Sequence, residues 1–503
     1  MNELLQGMKM DTNFGYTENG GVKHNTTMSA LLDMFAMGGA MRSRSDSDVI
    51  VMFKKAFAEN AEYAMKCLTY LRDIISGQGE RRFFRVCLKY LGQNDYKAAI
   101  RNMREWINKG FIRWDDLFVL FDTPAEDEVM HFINENLIID LASYKEGKAV
   151  SLLGKWLPSE NTSSATSRHN ARKIMHAIGL TPREYRKMLS ALRERIHVVE
   201  RLMSQNRWDE IDFSKLPSRA GLLYRNTFAE NEITKERYAA FMGSKETKVN
   251  ARVLNPVDIA DQIFRKSNPS PVERQVWDKY WENLEDYYGD NEEPGIAVCD
   301  VSGSMTGQPM NAAVSMGAYI AERGKGPFHN HFITFSSNPT LVEFVGTDIY
   351  DKFRRARNAD WGGSTNIEAV FNLLLQTGIR HKVKPENMPK TIYIFSDMEF
   401  NACISCGAPT NDRWYNGHHL RSEGEINTVI EAQIKKWKQY GYDVPRVIFW
   451  NLDARHDNIP ALGGNFSYVS GFSMNMVKQI LSGKNGMQLM FEKLDSQRYW
   501  NIH

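Results

Sequence analysis

The chain has 503 residues, 42% of them hydrophobic and 25% charged, which is long enough for two or more hydrophobic cores. A formal net charge of only +2 excludes a globally basic nucleic-acid-binding protein, so any such surface must be local. Five cysteines in this length form no disulfide framework and indicate a reducing compartment. Neither a signal-peptide pattern nor an apolar run long enough for a bilayer is visible. We therefore expect a cytoplasmic, multidomain protein without a membrane partner.

The first 290 residues divide into a polar start and a long helical stretch. Residues 1–27 are polar, with Gly and Asn clustered at 17–21, and we predict an extended N-terminal arm that packs loosely. From 28 to 290 apolar residues recur with helical spacing between short polar connections. About a dozen helices in series predict an α-helical repeat domain, a HEAT-like solenoid or ring. An irregular helical domain is the alternative, because no strict repeat period is visible.

Basic residues are concentrated between positions 168 and 207. Arg183, Arg186 and Lys187 are spaced by three and four residues, which places like charges on one face of a predicted helix. Like charges repel, so a phosphate backbone is one explanation, and a solvated face balanced by acids elsewhere is the other. The candidate RNA-binding residues are Arg168, Arg172, Lys173, Arg183, Arg186, Lys187, Arg193 and Arg201.

Residues 294–503 alternate between apolar strands and helices, which predicts a doubly wound α/β sheet. Predicted strands lie at 295–299, 329–335, 341–345 (an edge strand), 391–397, 446–452 and 467–471. The first of them leads into Asp300, and Gly303 lets the chain turn before a helix. Asp300, Ser302 and Ser304 therefore lie at the carboxyl end of a strand, where open α/β sheets place ligands.

Two later loops can complete the same site. Thr365 lies in a loop that opens a helix, and Asp397 ends the predicted strand at 391–397. Carboxylate and hydroxyl oxygens are hard ligands that suit Mg²⁺ or another hard divalent cation. We predict a metal site formed by Asp300, Ser302, Ser304, Thr365 and Asp397. The alternative is that these residues only cap turns and helices.

The loop after Asp397 contains further candidate ligands. Cys403 and Cys406 precede His418 and His419, and a CxxC pair with downstream histidines can bind Zn²⁺. Two adjacent histidines cannot easily both reach one tetrahedral ion, so we favour a plain loop of reduced cysteines over a zinc site. Glu399 is close enough to the predicted metal loop to support it, or it points away.

The three loops together resemble a known ion-binding arrangement. Asp-x-Ser-x-Ser at 300–304, then Thr365, then Asp397, resembles the metal-ion-dependent adhesion site (MIDAS) of the von Willebrand factor A domain, which has a Rossmann-like fold. The resemblance implies that these five residues hold Mg²⁺. It also implies an open coordination position, able to accept a carboxylate from a protein partner or from an internal loop.

The helical stretch carries a second resemblance. Residues 70–82, YLRDIISGQGERR, resemble the signature of the Ro ribonucleoprotein family, whose helical-repeat module is called TROVE, and residues 151–158 resemble another segment of it. In that family a ring of helical repeats precedes a von Willebrand A domain, which is the order here. The chain looks like the Ro-like relatives of phages, bacteria and plants. The resemblance implies binding of small non-coding RNAs or misfolded RNA ends, and we expect Arg72 to pair with Asp73 or Glu80 structurally.

Two functions follow as hypotheses. The first is a Ro-like RNA-binding protein with a Mg²⁺-binding A domain for partner or internal contacts. The second is a metal-dependent protein-interaction adaptor without RNA binding. The chain has no Walker loop, nucleophile elbow or HExxH motif, and a two-metal nuclease needs more clustered carboxylates than this site offers. We therefore expect a binding protein and not an enzyme.

Overall fold

The computed structural model describes residues 3–196, 198–335, 338–357, 365–401, 414–415, 418–419, 428–463 and 465–503. Its α-helices are α1 (Glu3–Asp11), α2 (Ala30–Met37), α3 (Asp46–Glu59), α4 (Ala61–Arg72), α5 (Arg81–Asn94), α6 (Tyr96–Arg101), α7 (Met103–Asn108), α8 (Glu126–Lys145), α9 (Leu153–Trp156), α10 (Ala165–Ile178), α11 (Pro182–Arg195), α12 (Val199–Ser204), α13 (Ser218–Leu223), α14 (Arg225–Glu230), α15 (Lys235–Gly243), α16 (Pro256–Phe264), α17 (Pro271–Glu282), α18 (Gln308–Arg323), α19 (Ile349–Ala356), α20 (Ile367–Arg380), α21 (Val429–Gln439), α22 (Val477–Ile480) and α23 (Gly486–Leu494). Its strands are β1 (Phe14–Tyr16), β2 (Val22–His24), β3 (Gly295–Asp300), β4 (His331–Phe335), β5 (Thr340–Glu343), β6 (Thr391–Ser396), β7 (Trp414–Tyr415), β8 (His418–His419), β9 (Arg446–Asn451) and β10 (Phe466–Ser470).

The chain divides into two compact units. The α/β unit comprises Met1–Cys67, Leu254–Pro269 and Leu284–Gln497, and the helical unit comprises Leu68–Val253, Ser270–Asn283 and Arg498–His503. A mostly helical N-terminal part followed by a strand-and-helix part is the coarse fold predicted from the sequence, and it is confirmed. A solenoid or ring arrangement of the helices stays a prediction. Among the described residues, no helix combines the length and apolarity that crossing a membrane requires.

The α/β unit is built on a six-stranded sheet with the order β10-β9-β6-β3-β4-β5. Every neighbouring pair is parallel except β4 and β5, and β5 is the edge strand that the sequence predicts. All of β6 and β10 is buried, because helices cover both faces of the sheet. The chain leaves β3 towards β4 on one side and later returns to β6 on the other. The topological switch point therefore lies between β3 and β6, where such sheets bind ligands.

Residues 1–27 do not form the loosely packed extended arm predicted from the sequence. They contain α1 and an antiparallel hairpin in which β1 pairs with β2 from Phe14↔His24 to Tyr16↔Val22. Val22, Lys23 and His24 are buried, and His24 also forms a backbone bridge with Ile459. Polar composition alone gave no indication of this packing, because polar side chains and backbone groups of the segment hydrogen-bond to residues hundreds of positions away.

The compact units also divide the chain at different residues from the predicted boundary at 28. The helix α2 belongs to the α/β unit and packs on β10, where Ser470 Oγ lies 2.9 Å from the Gly39 amide and donates to the Phe35 carbonyl oxygen at 3.3 Å. A Cβ on Gly39 would lie 2.8 Å from Ser470 Oγ, so glycine permits the close approach. Helical spacing correctly predicted the helix but could not specify the core against which it packs.

The Tyr70–Arg82 segment forms a buried corner of the helical unit. The helix α4 ends at Arg72, and Gln78 N donates to the Tyr70 carbonyl at 3.1 Å. Arg72 does pair structurally, but with Asp116 and not with Asp73 or Glu80: its Nε and Nη2 donate to Asp116 Oδ2 at 2.9 and 2.6 Å. The motif that carries the Ro resemblance is therefore a structural corner in this unit.

Asp73 in the same corner holds residues Arg498–His503. Its carboxylate accepts hydrogen bonds from Arg498 Nη2 at 2.8 Å and from the Tyr499 hydroxyl at 3.0 Å. The Tyr499 ring stacks on Phe111 with centroids 5.5 Å apart. Asp73 is fully buried, so the paired arginine compensates a charge that would otherwise be costly. The segment after Gln497 thus completes the helical unit.

Candidate cation site at the carboxyl edge of the sheet

Asp300 ends β3 in the most buried part of this edge. Its side chain is 0% exposed, its Oδ1 accepts the Ser302 amide at 2.9 Å, and its Oδ2 accepts the Ser396 hydroxyl at 2.5 Å. Ser396 is the last residue of β6, so this hydrogen bond links the ends of the two strands that flank the switch point. The buried run of β3 thus delivers a carboxylate directly to the edge.

The predicted ligands from the first and third loops lie together. Ser302 Oγ and Ser304 Oγ are 3.0 Å apart, and the Ser304 hydroxyl hydrogen-bonds to the Asp397 carboxylate. Asp397 is 1% exposed, and its Oδ1 accepts the Glu399 amide at 3.1 Å. Two carboxylates and two hydroxyls therefore converge between β3 and β6. The sequence prediction placed these four residues at one edge, and the structure brings them together.

Thr365 is linked through its backbone to the segment that follows Asp397. Its carbonyl oxygen accepts the Asn401 amide at 3.0 Å, which connects it to the segment after Asp397, and its side chain is 2% exposed. Asn366 then caps α20, its Oδ1 accepting the Ala369 amide at 3.0 Å. The residues at 361–364 of the predicted loop lie outside the described residues, as do the side chains of the predicted cysteine and histidine loop with Cys403 and Cys406.

Burial makes negative charge unfavourable at this edge. It raises the pKa of Asp300 to about 7 from an ordinary value of 3.8, and the charge of Asp397 adds to the shift. Burial also raises the pKa of Asp397, although the hydrogen bond from Ser304 and the nearby Arg455 guanidinium act in the opposite direction. A bound divalent cation would compensate these charges. Carboxylate and hydroxyl oxygens are the donors that a hard cation prefers, so the residues present fit Mg²⁺.

Sequence reasoning missed the residues that surround the predicted ligands. Arg455 Nη2 donates to Asp397 Oδ2 at 2.8 Å, and His456 Nδ1 lies 2.7 Å from Glu399 Oε1. Both residues follow β9, the neighbour of β6, and that position at the same edge was a usable signal. Glu399, whose direction the sequence left open, is fully buried here, and it lies with Glu18 and His456 in a group whose ligand atoms are within 4.8 Å of one another. Nothing in the sequence pointed to Glu18.

Five of the eight candidate RNA-binding residues have intramolecular partners in the helical unit. Arg168 donates to the Thr162 and Ser163 carbonyls, Arg193 to those of Gly154 and Leu157, and Arg201 to that of Ser190. Lys173 pairs with Asp122 and Glu126, and Arg186 pairs with Glu160. These contacts give each of the five side chains a structural role.

The other three candidates are exposed. Arg172 lies on α10, and Arg183 and Lys187 lie on α11. Arg172 also lines an open cleft of about 600 Å³ beside α8, together with His169 and His176. The cleft also contains Glu126 and Asp127, so its charge is mixed. The exposed basic surface is therefore smaller than the sequence suggested.

Comparisons with known proteins give a family but no activity. The family model described as Domain of unknown function (DUF2828) matches residues 17–132 and 127–287, together more than half of the chain, and the model described as Domain of unknown function (DUF7788) matches residues 294–498. The chain is 32% identical to Uncharacterized protein L728 of Acanthamoeba polyphaga mimivirus over 526 aligned positions, which cover 96% of this chain and 87% of that protein. The Deinococcus radiodurans RO (RSR) protein is similar at a TM-score of 0.43 and 12% identity, covering 93% of this chain and 99% of that one, too weak to carry an argument.

Proposed function

The chain belongs to the family described as Domain of unknown function (DUF2828), and we propose that it is a Ro-like binding protein with a divalent-cation site in the α/β unit and an RNA-binding surface on the helical unit. The cation site is the part that the geometry supports best. Its supporting observation is the convergence of Asp300, Asp397, Ser302 and Ser304 at the switch point of the sheet. The order of these residues resembles the MIDAS of a von Willebrand A domain, with Thr365 as the fifth ligand.

The role proposed for the cation is binding, without a chemical step. When bound, the ion supplies positive charge to the buried carboxylates and a coordination position for one further oxygen ligand. The carboxylates of Asp300 and Asp397 would hold the ion together with the hydroxyls of the predicted ligands Ser302, Ser304 and Thr365. The β3 and β6 strands fix both carboxylates rigidly, which favours a defined geometry over a loose one.

Cation binding is expected to strengthen as the pH rises towards neutrality. The pKa of Asp300 is raised to about 7, so protons compete with the cation for this carboxylate below that pH. Below a pH of about 7, the Mn²⁺ dissociation constant should fall by up to about tenfold for each unit by which the pH rises, because binding displaces one proton. Above that pH, the dissociation constant should level off. Calorimetric titrations with Mn²⁺ at several pH values measure it.

The raised pKa of Asp300 has the opposite effect on the folding stability of the cation-free protein, which falls as the pH rises. The folded state binds a proton on Asp300 more tightly than the unfolded state, so stability without cation falls as pH rises from the ordinary pKa towards 7. His456 lies at the same edge, with its Nδ1 2.7 Å from Glu399 Oε1, and His456→Gln is the control. If the unfolding free energy of His456→Gln still depends on pH, the dependence is assigned to Asp300. If the dependence is lost in His456→Gln, that assignment is contradicted.

RNA binding is proposed for the exposed basic face of α10 and α11. The supporting observation is that Arg172, Arg183 and Lys187 are exposed on adjacent helices, available to phosphates without breaking the internal pairs of the other five candidates. Binding would be largely electrostatic with weak sequence preference. The alternative, a cation-dependent adaptor without RNA binding, needs no such face.

The triple charge reversal R172E/R183E/K187E tests this surface. The variant should bind single-stranded and stem-loop RNA more weakly, with the salt dependence reduced by roughly one in slope for each lost phosphate contact. Fluorescence anisotropy at several salt concentrations measures both quantities. The matched control K97E/R101E/K109E reverses three exposed charges elsewhere on the helical unit and should bind like the wild type. Equal losses in both variants would mean nonspecific attraction, and no RNA binding by the wild type would favour the adaptor.

A further inference from the structure

The turn formed by residues Thr17–Gly21 lies directly against the segment that follows Asp397. Thr17 Oγ1 donates to the Phe400 carbonyl oxygen at 2.6 Å, and the Gly21 amide donates to the same oxygen at 3.2 Å. Gly20 forms an antiparallel bridge with Asn401. The turn is therefore attached through its backbone to the loop that carries one of the predicted cation ligands.

Two residues of this turn, Glu18 and Asn19, reach residues next to the predicted ligands. Asn19 Nδ2 donates to the Glu399 carbonyl at 2.6 Å and lies 3.4 Å from Thr365 Oγ1, a predicted ligand. The Glu18 amide donates to Glu399 Oε2 at 2.9 Å. Both turn residues are exposed, so the turn lies over the buried site from the solvent side.

The charge of Glu18 is coupled to the site through Arg455. Arg455 Nη1 is 3.3 Å from Glu18 Oε2, and its Nη2 is 2.8 Å from Asp397 Oδ2. One guanidinium thus joins the carboxylate of the turn to a predicted cation ligand. His456 also approaches this carboxylate, with its Nε2 3.7 Å from Glu18 Oε1. The Glu18 carboxylate therefore contacts residues that surround the predicted cation site.

We propose that the Thr17–Gly21 turn is an internal segment that closes the cation site, in the place that a separate protein partner would otherwise occupy. This inference rests on the proposed cation site and selects the internal loop over a separate protein as the source of the last oxygen ligand. Cation binding and turn closure then stabilise each other, because coupling between two binding events is reciprocal. An acidic protein partner could gain access only by displacing the turn.

Hydrogen–deuterium exchange of the full chain with and without Mn²⁺ tests the coupling. If the turn closes over the ion, Mn²⁺ should slow amide exchange in peptides covering residues 14–24 by about fivefold or more, the lower end of typical coupling. The slowing should be absent in Asp300→Asn. Unchanged exchange in the turn while Mn²⁺ binds tightly would overturn this inference and leave the cation site standing. No Mn²⁺ binding by the wild type would overturn both.

Because the coupling between the turn and the cation is reciprocal, detaching the turn should lower the affinity for Mn²⁺. A Cβ on Gly21 would lie 2.4 Å from the Phe400 carbonyl oxygen, so Gly21→Ala should detach the turn. Mn²⁺ affinity should fall by the same factor by which Mn²⁺ slows exchange in the wild type. Gly7→Ala is the matched control, because a Cβ at that position meets nothing within 4 Å.

A milder variant covers the case in which Gly21→Ala disturbs folding. Glu18→Gln combined with Asn19→Ala alters only exposed side chains and leaves the backbone attachment in place. It should also weaken Mn²⁺ binding and reduce the Mn²⁺-dependent protection of the turn. Wild-type Mn²⁺ affinity in this double variant would overturn the inference, because the turn would then be a packing element that the cation does not engage.

Discussion

Asp300→Asn is expected to weaken Mn²⁺ binding by roughly 100-fold or more, since loss of an outer-sphere partner alone typically costs 10–100-fold. The same substitution should not destabilise the cation-free protein. It removes a buried carboxylate whose pKa is raised by burial and by the charge of Asp397, and it keeps the shape of the side chain. The stabilisation that Mn²⁺ gives the wild type against heat should disappear. Electron paramagnetic resonance of free Mn²⁺ and thermal unfolding measure the two effects.

Asp443→Asn is the matched control for this experiment. Asp443 is an exposed carboxylate of the same α/β unit, three residues before β9 and therefore near the opposite, amino-terminal edge of the strands. Its replacement changes the net charge by the same amount and should leave Mn²⁺ affinity unchanged. Wild-type affinity in Asp300→Asn would show that the ion binds elsewhere and would remove the proposed site.

Asp116→Asn should be among the most destabilising single substitutions in the helical unit, costing about 3–5 kcal/mol, as is usual when one partner of a buried ion pair is lost. Asp116 is fully buried and accepts hydrogen bonds from Arg72, from Arg85 Nε at 2.6 Å and from the Arg113 amide at 2.9 Å. Its loss would leave two arginines without their shared carboxylate. Thermal unfolding, with hydrogen exchange of peptides from the helical unit, measures the effect.

The neighbouring Asp115 provides the control. Asp115 also pairs with Arg85 and Arg113, but its side chain is 23% exposed, so Asp115→Asn should cost about 1 kcal/mol or less. Similar costs for the two substitutions would show that burial does not amplify the Asp116 network.

The pH dependence of the Asp116 effect follows from its pKa. Burial opposes ionisation of Asp116, yet Arg72 and Arg85 hold its pKa below the ordinary 3.8. A carboxylate with a depressed pKa contributes stability that is complete above the ordinary value and is lost as pH falls through the native one. The difference between wild type and Asp116→Asn should therefore be constant near neutrality and shrink only in acid. Unfolding measured across the acid range checks this sign.

The strands and the positions of the candidate metal ligands could be predicted from the sequence for one physical reason. A parallel strand that is covered on both faces is apolar along its whole length, so its end is visible where the first carboxylate appears. Asp300, the last residue of β3, and Asp397, the residue after β6, are such ends. Because parallel strands share a carboxyl edge, two such endings predict one location without any knowledge of the intervening chain.

The basic residues show the limit of counting charges. Lys173 and Arg186 lie in the basic stretch at 168–207, but their acidic partners Glu126 and Glu160 come from outside it. Helical spacing predicts which residues share a face and cannot predict what that face meets. The structure therefore gives five of the eight candidates intramolecular partners, and RNA binding stays a prediction that rests on the exposed Arg172, Arg183 and Lys187.

The sequence by itself determined the elements: the six strands of the sheet, most of the helices, and the loops that carry Asp300, Thr365 and Asp397. These are local properties, since periodicity and strand endings are written within a few residues. The tertiary structure alone decided that residues 1–67 join the α/β unit, that Asp116 is the partner of Arg72, and that Glu18 and Asn19 lie over the predicted cation site. Those facts depend on contacts between residues tens to hundreds of positions apart, and no local pattern records which distant segment fills a given surface.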